Sequence, residues 1–159
     1  MSKINLLENL KKNDSITLNV EVSSWQEAIY EGCRVLIEKK LITKDYYNAI
    51  IESTLKNGPY YIISDNLAMP HAQMNRGVFD NCFSLVTLKK PIFFEGDSRP
   101  VRILITLAAT SAEIHTSEAL PRIVAIFEDP ANIEKIMNAQ NKEEIIDLIS
   151  KIDFTKYIF

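Results

Sequence analysis

Two cysteines, four glycines, two histidines and one tryptophan are all that the 159 residues hold of those types, and each scarcity closes off a class of function. Cys33 and Cys82 stand in apolar surroundings with no CxxC pattern, so no disulfide or thiol-based metal knuckle is expected. Both read as small buried hydrophobes of a reducing compartment. There is no GxGxxG, no GxxxxGK[ST], no GxSxG and no HExxH, so nucleotide, hydrolase-elbow and zinc-protease chemistries have no local support. His71 and His115 with Asp65 or Glu113 could supply metal donors, but no pair has ligand spacing, and neither a metal nor a cofactor is expected. No apolar run approaches the roughly 20 residues that span a bilayer, and the N-terminus MSKINLLENLKKND lacks a signal core. A cytoplasmic protein is the expectation.

Positive charge is short as well. Lys+Arg total 18 against 21 Asp+Glu, a formal charge of −3, and the pairs Lys11-Lys12, Lys39-Lys40 and Lys89-Lys90 are dispersed. Without a basic stripe to release phosphate counterions, no nucleic-acid partner is expected. What is there in quantity is apolar residue, 47% of the chain. A chain of this length buries roughly 70% of its extended surface, enough for a core without staples.

The pattern of those apolar residues sets the layout. Ile16, Leu18, Val20 and Val22 alternate with polar neighbours, as in a half-buried strand over 16–22. Ser24-Trp25-Gln26-Glu27 is a capping box, after which Trp25, Ala28, Ile29, Cys33 and Leu36 recur at helical spacing to about Lys40, with Trp25 a core anchor. Thr43 can cap a second helix with inner face Tyr47, Ile50, Ile51, Thr54 and Leu55, closed by Gly58-Pro59. Apolar runs at Tyr60 to Ile63, Cys82 to Leu88 and Val101 to Ala109 are strands, and the last lacks alternation, as a central strand covered on both faces should. Three helices follow, around Leu120 to Phe127, after Asp129-Pro130 and after Asn141, with Pro121 forcing a late start or a kink in the first. A short helix precedes the first strand. The order predicts an α/β fold, a three-layer sandwich with a mixed central sheet flanked by helices. With no repeat or linker, one domain over 1–159 with a core of about 6–149 is expected.

Chemistry concentrates on the two histidines. Each lies in a polar loop a few residues beyond an apolar run, and loops at the carboxyl ends of strands are where ligands gather in open α/β sheets. Pro70 fixes its own φ and holds Met69 extended, so the backbone around His71 is stiff, as a displayed nucleophile requires. A packing histidine would not need that setting. An imidazole with a reference pKa near 6.5 is roughly three-quarters neutral at pH 7 and can attack an electrophile without a separate base. Phosphorus is the natural target. The about two negative charges then added need donors: His115, and the hydroxyls of Thr110, Ser111 or Thr116, which turn and cap chemistry accounts for equally well. The tyrosines at 46, 47, 60 and 61 read as half-buried core before they read as site.

Asn66-Leu67-Ala68-Met69-Pro70-His71-Ala72 resembles the phosphohistidine loop of enzyme IIA of the mannitol/fructose class in the sugar phosphotransferase system. The resemblance runs from about Leu6 to Ile149, through Trp25-Gln26-Glu27-Ala28, Gly58-Pro59-Tyr60, Leu85 to Pro91, Val101 to Ala109 and Phe127-Glu128-Asp129, and is nearest to the ascorbate-specific type. It implies a cytoplasmic phosphotransferase without cofactor. The phosphocarrier HPr would phosphorylate His71, and the group would pass to a cysteine of enzyme IIB, which serves the membrane enzyme IIC. His115 would hydrogen-bond the phosphoryl group. Mannitol-type members carry an arginine near the end of the second helix, whereas 50–57 here holds Lys56 as its only cation. Two other readings use the same residues: a two-histidine acid-base phosphodiester hydrolase, and a regulatory enzyme IIA-like module. The chain names neither its sugar nor its oligomeric state, a homodimer included.

Overall fold

The computed structural model describes residues 5–73, 76–114 and 119–152. The chain order is α1 (Leu6–Asn13), β1 (Ile16–Val20), α2 (Trp25–Glu38), α3 (Lys44–Asn57), β2 (Ile62–Ser64), β3 (Asn66–Ala68), β4 (Cys82–Ile92), β5 (Val101–Ala108), a single turn α4 (Ala112–Ile114), α5 (Leu120–Ile126), α6 (Ala131–Met137) and α7 (Lys142–Ser150). The five strands form one mixed sheet in the order β1-β4-β5-β3-β2. β1 runs parallel to β4, β4 antiparallel to β5, β5 parallel to β3, and β3 antiparallel to β2. The unalternating run at Val101 is indeed the middle strand.

Two apolar cores lie on opposite faces of the sheet, which makes the three layers. One joins Trp25, Ile29 and Leu36 of α2 and Tyr46 and Ile50 of α3 to Val86, Leu104 and Ala108. The other joins Leu6 and Leu10 of α1 and Ile123, Ile136, Ile145 and Ile149 of the C-terminal helices to Phe83, Leu85 and Ile105. Successive β5 residues serve opposite layers because side chains alternate along a strand.

Several local expectations needed correction. Ile16 and Leu18 pack in the second core but Val20 and Val22 in the first, so the alternating segment does not keep one face. Asn19, at φ +56°, bulges there and hands the strand from one layer to the other, its N–H taken up by Thr87 Oγ1 at 2.9 Å. The buried stripe of α3 is Tyr46, Ala49, Ile50 and Thr54, while Leu55 is 62% exposed. Its cap residue Thr43 makes no side-chain cap bond. β3 stands where the sequence predicts a loop, because its three residues carry too little pattern to register as a strand. Pro121 agrees with its expectation: α5 starts late, at Leu120, and the proline falls in its first turn, where the missing N–H breaks nothing.

Cys33 and Cys82 are free and buried, and burial pushes the Cys33 thiol up to about 12 and raises that of Cys82. At the centre of the sandwich, Ser84 Oγ donates to the Gly32 carbonyl at 2.8 Å, and a Cβ on Gly32 would meet Thr106 Oγ1 at 2.4 Å. Among the described residues, Thr106 Oγ1 is the one buried side-chain polar atom with no hydrogen-bond partner. Thr106→Val is therefore expected to stabilise the fold by about 1 kcal/mol, a rise in melting temperature of about 3 °C. Gly32→Ala should cost about 2 kcal/mol through overpacking. Calorimetric melts of both variants check the pair; a Thr106→Val protein less stable than the parent would contradict it.

Candidate functional site

β3 and β5 are parallel neighbours, so their carboxyl ends leave the sheet side by side and deliver two loops to one rim. The first loop carries His71 and is held by hydrogen bonds along its backbone. Met69 N–H donates to the Tyr61 carbonyl at 2.9 Å, and the Pro70 carbonyl accepts from Leu107 N–H at 3.0 Å. Tyr60 donates its hydroxyl proton to the His71 carbonyl. Ala72 N–H donates to Tyr46 Oη at 3.1 Å, and that same hydroxyl donates to the Leu107 carbonyl at 2.6 Å. Tyr46 is 1% exposed, and burial raises its phenol far above the ordinary tyrosine range, so it stays a neutral donor.

The ring of His71 is fixed as firmly as its backbone. Nδ1 lies 2.6 Å from the Met69 carbonyl oxygen. A carbonyl can only accept, so Nδ1 carries the proton, and in the neutral ring the lone pair sits on Nε2. Tyr60 meets the imidazole edge to face, with centroids 5.4 Å apart and planes at 79°, and Tyr61 lies behind at 6.2 Å. Tyr61 is itself braced: Thr54 Oγ1 donates to the Ile50 carbonyl at 2.7 Å, so the 2.6 Å contact between Thr54 and Tyr61 has the phenol as donor. His71 is half-buried, tethered on one side of the ring and presented at the sheet rim.

The limb after His71 is strapped to α3. Arg76 makes a bidentate pair with Asp45, Nε to Oδ2 at 2.8 Å and Nη2 to Oδ1 at 2.9 Å, and Nη2 also reaches Glu52 Oε2 at 2.8 Å. The guanidinium holds the Asp45 carboxyl below its usual range. Thr43 N–H then closes on the Gly77 carbonyl at 2.8 Å.

The second loop follows β5. Thr110 donates both its N–H and its hydroxyl to Asn81 Oδ1, at 2.7 and 3.1 Å, and Ser111 Oγ accepts from Ile114 N–H at 3.2 Å. The hydroxyls of Thr110 and Ser111 are thus in use within the protein. His115 and Thr116 lie outside the described residues. Among the described residues there is no group of three His, Cys, Asp or Glu side chains able to hold a metal ion, and no helix long and apolar enough to cross a membrane.

Tyr46, Tyr60 and Arg76 are the residues that sequence reasoning passed over. Tyr46 and Tyr60 read as packing because half-buried tyrosines are common at helix and strand ends. The signal that could have raised Tyr60 is its place directly after Gly58-Pro59; nothing local marks Arg76.

Residues 9–152 match the model of the family described as phosphoenolpyruvate-dependent sugar phosphotransferase system, EIIA 2. The chain is 42% identical over 158 residues to the ascorbate-specific PTS system EIIA component of Mycoplasma pneumoniae, covering 99% of each chain. The crystal structure of PtxA from Streptococcus mutans superposes with a TM-score of 0.93 at 42% identity, covering 98% of this chain and 99% of that one. The mannitol-specific cryptic phosphotransferase enzyme IIA CmtB of Escherichia coli gives 0.81 at 32% identity, covering 90% and 99%.

Tyr46→Phe removes the donor to Leu107 and the acceptor of Ala72 together, and should destabilise the protein by about 2 kcal/mol. Tyr60→Phe keeps the ring contact and loses two exposed bonds, to the His71 carbonyl and from Ser53, for less than about 1 kcal/mol. Urea titrations of both variants test this ranking, and equal midpoints would refute it.

Proposed function

We propose, since the chain belongs to the EIIA type 2 family of the phosphoenolpyruvate-dependent sugar phosphotransferase system and is therefore a phosphotransferase relay component, that it carries the phosphoryl group on Nε2 of His71. The observation that carries this reading is the Met69 carbonyl on Nδ1, which leaves the nucleophilic lone pair on the other nitrogen of a ring that cannot turn away. Stiff presentation is what an in-line displacement needs, because most of its catalysis is positioning and charge stabilisation.

The donor is a phosphohistidine of HPr. Its P–N bond breaks as the bond from His71 Nε2 to phosphorus forms, and the donor ring departs with the electron pair. Because the His71 proton stays on Nδ1, hydrogen-bonded to Met69, the phosphorylated ring is cationic. In the second step a cysteine thiolate of enzyme IIB attacks phosphorus, the N–P bond breaks, and His71 leaves as neutral imidazole with its lone pair restored. No metal or nucleotide enters either step. His115 hydrogen-bonds the phosphoryl oxygens, and Thr110 and Ser111 are further donors once they exchange their present partners for phosphate.

Docking of HPr and enzyme IIB uses the surface beside His71, where the Tyr60 ring is 46% exposed and hydrogen-bonded to Ser53, with Lys56 and Asn57 next to it on α3. The full-length likeness to the Mycoplasma pneumoniae component supports ascorbate as the transported compound, taken up by a membrane enzyme IIC that this cytoplasmic chain serves indirectly.

With enzyme I, HPr and labelled phosphoenolpyruvate, the parent protein should gain acid-labile, base-stable phosphate and His71→Ala none. Equal labelling of the two would end the assignment. His115→Ala should still take up phosphate but pass it to enzyme IIB about tenfold more slowly or worse; unchanged transfer would remove its role.

A further inference from the structure

Between the limb that follows His71 and the outer face of α3 lies an open cavity of about 180 Å³, with Ala72 and Arg76 on one side and Glu52, Ser53 and Lys56 on the other. Its wall is joined to the backbone that carries the nucleophile: Ser53 Oγ donates to Tyr60 Oη at 3.2 Å, Tyr60 donates to the His71 carbonyl, and the next residue, Ala72, lines the cavity. Arg76 is the best-defined cation here, a guanidinium 33% exposed and held by two carboxylates. One positive charge against two negative ones leaves this cluster at −1, an unfavourable neighbour for a phosphoryl group carrying about two more negative charges.

We infer that Arg76 is a phosphoryl ligand held in reserve: it leaves Asp45 and Glu52 when the group arrives on His71 and returns to them when the group is passed on. This rests on the phosphohistidine reading above. Asp45 and Glu52 are 51% and 64% exposed, so water can take over their oxygens when the guanidinium leaves. Phosphate offers the same planar fork a bidentate partner of higher charge. Lys56, a hydrated point charge on the exposed side of α3, cannot reproduce that fork. Released carboxylates would also change the charge that α3 shows to a partner, so the phosphorylated and free forms present different surfaces.

The ion pair can be broken from either end, and the two ends give opposite answers. If Arg76 only straps the loop to α3, then Arg76→Gln and the double variant Asp45→Asn/Glu52→Gln sever the same strap and impair phosphorylation alike. If Arg76 receives the phosphoryl group, Arg76→Gln loses the ligand and the double variant releases it. At equilibrium with phospho-HPr, the ratio of phosphorylated to free protein should fall about tenfold in Arg76→Gln and stay level or rise in the double variant. Melting temperatures establish that both variants are folded. Equal losses in both, or no loss in Arg76→Gln, would overturn the inference while the parent protein still labels on His71. A parent protein that takes up no phosphate would instead remove the underlying reading.

Discussion

A single buried hydroxyl, that of Tyr46, connects three things that must not move relative to one another: helix α3, the end of the central strand at Leu107, and the backbone one residue beyond His71. Its two hydrogen bonds use both its proton and a lone pair, so it accepts no other role. Around it the neighbouring backbone groups find partners in turn, Met69 with Tyr61, Pro70 with Leu107, His71 with Tyr60. A loop whose polar groups are satisfied by three separate elements has one conformation available, and the imidazole inherits that rigidity. A histidine presented by solvent-bonded backbone would sample many orientations, and each would have to be discarded before an in-line attack.

The architecture was legible in the sequence because long, strongly patterned segments dominate it. The capping residues Ser24 and Asn141, the helical spacing from Trp25 to Leu36 and the unbroken apolar run at Val101 each report a large amount of burial, and α2, α7 and the central β5 follow from them. The failures share a physical cause. β3 is three residues long and exists because β5 beside it and β2 on its other side offer hydrogen bonds; no local preference announces it. The inner face of α3 was misjudged by one position since Tyr46 and Tyr47 are identical in type, and only the third dimension says which of them meets Leu107. Asn19 reverses the facing of β1 through a left-handed residue that a pattern of alternation cannot reveal.

The site divides in the same way. His71 could be singled out from Pro70 and its position after an apolar run, both local features. The residues that make it usable are 11 positions away in Tyr60 and 26 from Ala72 in Tyr46, and the bonds they contribute depend on the topology that brings β3 against β5. Arg76 shows the limit most clearly. As a residue in a chain it is one of 18 cations, and its significance comes from two carboxylates on α3 that are 24 and 31 positions distant.

The division of the interior into two cores has a consequence for how the protein is made. The layer under α2 and α3 is assembled from residues between Val20 and Ala108, so it can close while the ribosome is still adding the residues beyond Ala108. The opposite layer needs Leu6 and Leu10 from the start of the chain and Ile145 and Ile149 from near its finish. Until Ile145 and Ile149 have been added, Phe83, Leu85 and Ile105 have no complete cover, and the nascent sheet shows water an apolar surface. The interval between the first layer closing and the second is therefore the stage at which this chain is most exposed to aggregation.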